Sequence, residues 1–137
     1  MDELVQWLGE QLDEDERIAR AATPGPWTQS GIGEYGWGVS FSRPGAGVEA
    51  EDSEQGRADA EHIAAHDPAR VLREIDAKRR ILAECAYWHG KLAKEAADPS
   101  PVPFPTLGEV LDAVTPILRA LALPYADRPG YQEGWRP

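Results

Sequence analysis

Leu4, Leu8 and Leu12 recur at helical spacing near the start of the chain, Ile18 and Ala19 continue the stripe, and Val5 and Trp7 flank it. That period predicts an amphipathic helix from Asp2 to Ala22. Asp2 can cap it, and the acids of its first turn suit the positive end of the helix dipole. Thr23-Pro24-Gly25-Pro26-Trp27 stops it, because two prolines around a glycine cannot continue a helix and hold Trp27 extended. Trp27 is expected to fold back on the first helix as a corner anchor.

The period then changes. Trp37, Val39 and Phe41 alternate with Gly38 and Ser40, the signature of a half-buried strand. Arg43-Pro44-Gly45-Ala46-Gly47 reads as a turn, Val48 to Ala50 as a return strand, and Thr28 to Ile32 as a third. Asp52-Ser53 caps a short helix from about Glu54 to Ala65, which ends at His66-Asp67-Pro68. Asp at the cap with Pro first inside opens the longest helix, Pro68 to about Ala96, with Val71, Ile75, Leu82, Cys85, His89 and Leu92 along its stripe. Asp98 to Pro105 alternates proline and is expected to be an extended spacer. Thr106 to Glu109 is a capping box for a last helix carrying Leu107, Leu111, Val114, Leu118 and Leu121 on one face. Pro116 inside it should kink it or set its first turns apart. The tail is irregular but rich in rings, Tyr125, Tyr131 and Trp135, and should dock on its own core or on a partner.

The fold class expected is α+β: about four helices, one long and central, packed with a two- to three-stranded antiparallel sheet. Residues 1–97 form the core, 98–105 a linker, and 106–137 a helix and tail packing on the same single domain. Trp27, Trp37, Leu8, Val71, Ile75, Leu82 and Leu118 should be central to that core.

Composition narrows the functional classes. The chain has 137 residues, 14 Lys plus Arg against 24 Asp plus Glu, and a formal charge of −10. Such a balance disfavours a nucleic-acid partner. No apolar run approaches the roughly 20 residues of a bilayer span, and Met1-Asp2-Glu3 opposes the basic start of a signal peptide. One cysteine, Cys85, excludes an intrachain disulfide and fits a cytoplasmic protein. The charge is uneven: the first helix and residues 21–66 are acidic, whereas the long helix is basic.

Few residues offer chemistry. His62 and His66 lie four apart on the short helix with Asp59 one turn earlier, a spacing that can hold a divalent metal if another ligand joins. The Glu that a zinc-hydrolase helix places directly after its first His is missing, since Ile63 follows His62. His66 at a helix end can instead meet the last carbonyls. Cys85 and His89 share the apolar stripe, where a thiol packs rather than reacts. Lys78 falls on the apolar side and should snorkel or meet a carboxylate from another element. Arg70, Arg73 and Arg80 share an arc that could receive an anionic surface, and with Lys78, Tyr125, Tyr131 and Trp135 they are the candidate interaction residues. No catalytic constellation, dinucleotide fingerprint or Walker loop is present in the sequence, and no motif requires a cofactor.

Three stretches carry a resemblance: Ala22-Thr23-Pro24-Gly25-Pro26-Trp27, Asp59 through Leu82, and Leu121-Ala122-Leu123-Pro124-Tyr125-Ala126-Asp127. Together they resemble an uncharacterised family of small actinobacterial and actinophage proteins, over nearly the whole chain. The Thr-Pro-Gly-Pro-Trp corner and the following Ala-x-x-Ile-Ala step are also similar to Ead/Ea22-like accessory proteins of temperate phages. Members of the first family often carry Cys ahead of the Leu-Ala-Leu-Pro-Tyr run and His where Arg128 stands; neither is found here. The resemblance implies an origin in mobile elements and brings no activity or cofactor. The expected function is a small acidic cytoplasmic interaction protein, an adaptor or inhibitor, whose partner is a protein or a second copy of the chain and not a membrane. The alternatives are a small-ligand or metal-binding domain using His62 and His66, and a structural homo-oligomer.

Overall fold

A computed structural model describes residues 2–99 and 106–137. The elements are α1 (Asp2–Ala21), β1 (Thr28–Ile32), β2 (Gly36–Ser40), β3 (Gly47–Glu51), α2 (Glu54–Ala65), α3 (Pro68–Ala97) and α4 (Leu107–Ala122), then short 3-10 turns at Leu123–Tyr125 and Glu133–Trp135. Of the described residues 64% are helical and 12% lie in strands, which makes the fold α+β. The expected proline spacer falls, from residue 100 to 105, outside the described residues. The chain divides into two compact units, Met1–Asp13 with Asp76–Pro137, and Glu14–Ile75.

The first unit is helical. Asp13 pairs with Arg79 at 2.7 Å and Asp2 lies 3.7 Å from His89, so this part of α1 runs antiparallel to α3. Leu4, Leu8 and Leu12 are buried, as are Cys85 and Leu92 of α3 and Val114 and Leu118 of α4. The capping box of α4 is present in both directions: Thr106 Oγ1 accepts from the Glu109 N–H at 3.2 Å, and Glu109 Oε2 accepts from the Thr106 N–H at 2.7 Å. Pro116 lies within a helix that is continuous from Leu107 to Ala122, so its first turns are not set apart. Pro116 and Asp112 are both exposed, which lets water satisfy the Asp112 carbonyl that the proline leaves without a donor.

The tail docks on its own chain. Trp7 donates its indole N–H to the Pro129 carbonyl at 3.1 Å. The rings of Tyr125, Tyr131 and Trp135 surround it at centroid distances of 6.4, 5.8 and 5.3 Å. Gly130, with φ of +86°, lets the backbone pass so close that a Cβ there would sit 2.8 Å from Trp7 Nε1.

The second unit is built around the sheet. Its order is β1-β2-β3, antiparallel throughout. α2 lies over the face that carries Trp37 and Val39; the Arg57 guanidinium sits 5.3 Å from the Trp37 ring, and Val39 is 2% exposed. Gly56 permits this close approach, since a Cβ on it would stand 1.8 Å from the Glu51 carbonyl oxygen. Ser53 caps α2, its hydroxyl accepting from the Gly56 N–H at 2.9 Å.

One carboxylate organises the corner before the sheet. Asp67 Oδ1 accepts from the Arg70 N–H at 2.9 Å, capping α3, while Oδ2 accepts from the Trp27 N–H at 3.2 Å. The Arg70 N–H holds the Asp67 carboxyl below its usual range against the opposing effect of burial, with the Trp27 N–H and the Arg73 charge adding to the lowering. Trp27 stacks on Phe41 at 4.2 Å and donates its indole N–H to the Thr23 carbonyl at 2.9 Å.

Of the residues expected at the centre of the core, Leu8, Ile75 and Leu118 are buried. Trp27, Trp37, Val71 and Leu82 are half-buried instead. For Trp27 and Val71 the reason is local, because both line an open apolar cleft.

Candidate functional site

The sheet has a second face. Alternation places Gly36, Gly38 and Ser40 opposite Trp37 and Val39. Beside Gly38 and Ser40, at the β2–β3 turn, lies an open cleft of about 890 Å³, lined by Ser30, Tyr35, Arg43 and Glu49 and reached also by Val39 and Val48. A Cβ on Gly38 would stand 2.4 Å from Ser30 Oγ, so glycine there makes room for the Ser30 side chain at the edge of the cleft.

Both ends of the cleft are shaped by turns. At one end Glu49 Oε1 accepts from the Glu34 N–H at 3.2 Å and Oε2 from the Tyr35 N–H at 2.6 Å. This carboxylate fixes the β1–β2 turn and leaves the Tyr35 ring 78% exposed. At the other end Ala46 donates to the Arg43 carbonyl at 3.0 Å, Phe41 donates to the Ala46 carbonyl at 3.1 Å, and the Ser42 hydroxyl donates to the Pro26 carbonyl. Ser42 and Gly45 adopt positive φ, 60° and 74°, to close that turn. The cleft therefore offers hydroxyls, one guanidinium, one carboxylate and an exposed phenol ring. That set can recognise a surface; it holds no nucleophile with an adjoining base.

A second depression in this unit, of about 280 Å³, is lined by Ile18, Ala19, Ala22, Trp27 and Val71 with Asp15 and His66. It shares Ala19, Ala22 and Pro68 with a neighbouring one of about 330 Å³.

The residues singled out from the sequence have these positions. The His62 and His66 rings are 4.2 Å apart, but His66 Nδ1 is 2.7 Å from the His62 carbonyl oxygen and Asp59 accepts from Gln55 at 2.9 Å. Among the described residues no three His, Cys, Asp or Glu side chains group closely enough to hold a metal ion. Cys85 is buried, and desolvation, then the neighbouring Glu84 charge, pushes its thiol pKa up, the reverse of activation. His89 lies near Asp2.

Lys78 meets no carboxylate of the kind expected; its Nζ is 3.4 Å from Tyr125 Oη and 5.4 Å from the centre of that ring. The ring supplies a neutral acceptor and a π-face beside a half-buried cation. The Arg128 guanidinium lies 4.7 Å from the same ring and donates to Gln11 Oε1 at 3.3 Å. Tyr125 is 3% exposed, and Tyr131 and Trp135 are half-buried against Trp7. Arg70 and Arg80 make exposed pairs with Glu74 and Asp76, each at 2.9 Å, while Arg73 is exposed. The sheet cleft was missed by sequence reasoning. Its signal was the run of Gly and Ser at alternate positions of β2, which marks one face as bare.

No helix among the described residues is long and apolar enough to cross a membrane. The architecture defines a small α+β protein with an open cleft beside its sheet. Over residues 1–137 the chain matches a family described as "Family of unknown function (DUF6221)", and it belongs to that family. No curated protein and no solved structure matches it.

Proposed function

We propose that this chain is a non-catalytic protein-interaction module that binds through the uncovered face of its sheet. The observation that carries the reading is the asymmetry of that sheet: α2 packs on the Trp37 and Val39 face, while Gly38 and Ser40 of the other face border an open cleft of about 890 Å³ at the β2–β3 turn. A sheet face without a covering layer is an available recognition surface, and an exposed tyrosine beside it supplies contact area with few rotamers to immobilise. The net charge of −10 favours a basic partner surface and speeds its encounter. On this reading the role is that of an adaptor or inhibitor in the cytoplasm.

The test is site-specific photo-crosslinking from Tyr35 and Ser40, with Asp112 on α4 as the reference position. A discrete adduct from the two sheet positions, displaced by unlabelled protein and not by a Ser40→Trp variant, supports the reading. Equal labelling from all three positions, or none from the sheet, refutes it.

A further inference from the structure

The two edges of the sheet differ. β1 is interrupted by a register shift between Gln29 and Gly31, with Gly31 at φ +83°. Such a bulge twists an edge away from pairing. β3 pairs with β2 in unbroken register, from Gly36 opposite Glu51 to Ser40 opposite Gly47. The Phe41 N–H to Ala46 carbonyl bond sets the phase of that ladder. By the antiparallel alternation, Val48 and Ala50 direct their backbone groups to β2, and Gly47 and Glu49 direct theirs outward. No proline interrupts this strand, and every residue in it except Ala50 is exposed.

The side chains beside this edge specify what fits it. Glu49 and Glu51 share the open face, and Glu34 and Asp52 stand in the adjoining turns. On the opposite face Val48 is 44% exposed. Glu49 receives two backbone N–H groups and Glu51 Oε2 receives the Ser53 hydroxyl at 2.6 Å, yet both residues remain exposed to a further partner. A second copy pairing antiparallel about Glu49 would set like charges opposite one another, which is unfavourable.

We infer that β3 is a docking edge for an extended segment of a basic partner protein, added as a fourth strand, with Lys or Arg beside Glu49 and Glu51 and apolar residues beside Val48. This rests on the interaction reading above and names the chemistry of the partner. The outward Gly47 and Glu49 backbone groups supply affinity for any extended chain, and the alternation of acids and Val48 selects among chains.

The probe is a capped heptapeptide alternating lysine and valine, added to the full chain, with a same-charge control whose central valine is proline. The readout is hydrogen exchange residue by residue. The expected result is slower exchange at the Gly47 and Glu49 amides with the first peptide and not with the control. Glu51→Lys, which leaves both Glu49 bonds to the β1–β2 turn in place, should weaken binding about tenfold, the scale of exchanging favourable for unfavourable cross-strand charge contacts. Binding confined to the acidic face of α1, with no protection at Gly47 and Glu49, overturns the inference, as does absence of binding. Protection of those amides that rises with protein concentration alone overturns it in favour of a second copy. Peptide contacts on the Ser40 face without edge protection overturn strand addition while leaving the interaction reading standing.

Discussion

The two units bury different kinds of residue. In the helical unit the inaccessible positions belong to Leu8, Leu12, Leu92 and Leu118, with Trp7 and Tyr125 enclosed beside them. In the sheet unit they belong mostly to small residues, Ala19, Gly36, Gly38, Gly56 and Ala60, with Val39, Pro68 and Ile75 among them. Large side chains hold the first unit through the area they remove from water. The second is held by close backbone approach and by turns tied with carboxylates at Glu49 and Asp67. The difference is one of means: the first unit closes around leucines and rings, while the sheet unit closes around small residues and keeps a cleft along the strand that carries glycine and serine.

That contrast can be broken at chosen points. Leu118→Ala, at a site with 0% exposure, should lower stability by about 2–5 kcal/mol, measured by urea unfolding, through lost burial and the cavity left behind. Amide exchange should accelerate in α4 more than in β2. In the sheet unit Gly56→Val should destabilise by about 1–3 kcal/mol for the opposite reason, overpacking against the Glu51 carbonyl, and the loss should appear first in β3 and α2.

Asp67→Ala removes a helix cap and should cost about 1 kcal/mol at neutral pH. Its pH dependence has a definite sign. The folded-state pKa is lowered, so the stabilisation is present above the unfolded value and fades as pH falls through the folded one. The difference between parent and variant should therefore shrink in acid; a constant difference down to strongly acidic pH would show that the carboxylate charge has no part in it. The smallest effect should come from Arg80→Ala, whose pair with Asp76 is exposed on both sides and should change stability by less than about 0.5 kcal/mol.

Helical order was legible because period and punctuation agree. The leucine stripe, the Ser53 and Thr106 caps, and Pro68 after Asp67 place the helix ends within a residue or so of where they lie. Strand existence was legible too, from Trp37, Val39 and Phe41. Which tryptophans would be enclosed was not, because periodicity assigns a face and says nothing of what covers it. Trp7, read only as a flank of the first stripe, became the centre of the tail cluster through contacts with residues more than a hundred positions away. Lys78 likewise found Tyr125, a partner that charge pairing could not suggest. The open cleft escaped notice because it borders residues as small as glycine and serine.

The double role of Asp67 has one more consequence. Its carboxylate grips the Trp27 amide, 40 positions earlier, and the first turn of α3 at once, so everything between Trp27 and Asp67 is a loop pinned at its neck. Exchanging or lengthening what hangs from such a neck changes closure entropy only slightly, about 0.6 kcal/mol for a doubling of length. The sheet and α2 thus hang between two fixed ends, and they carry the face and edge proposed above for recognition.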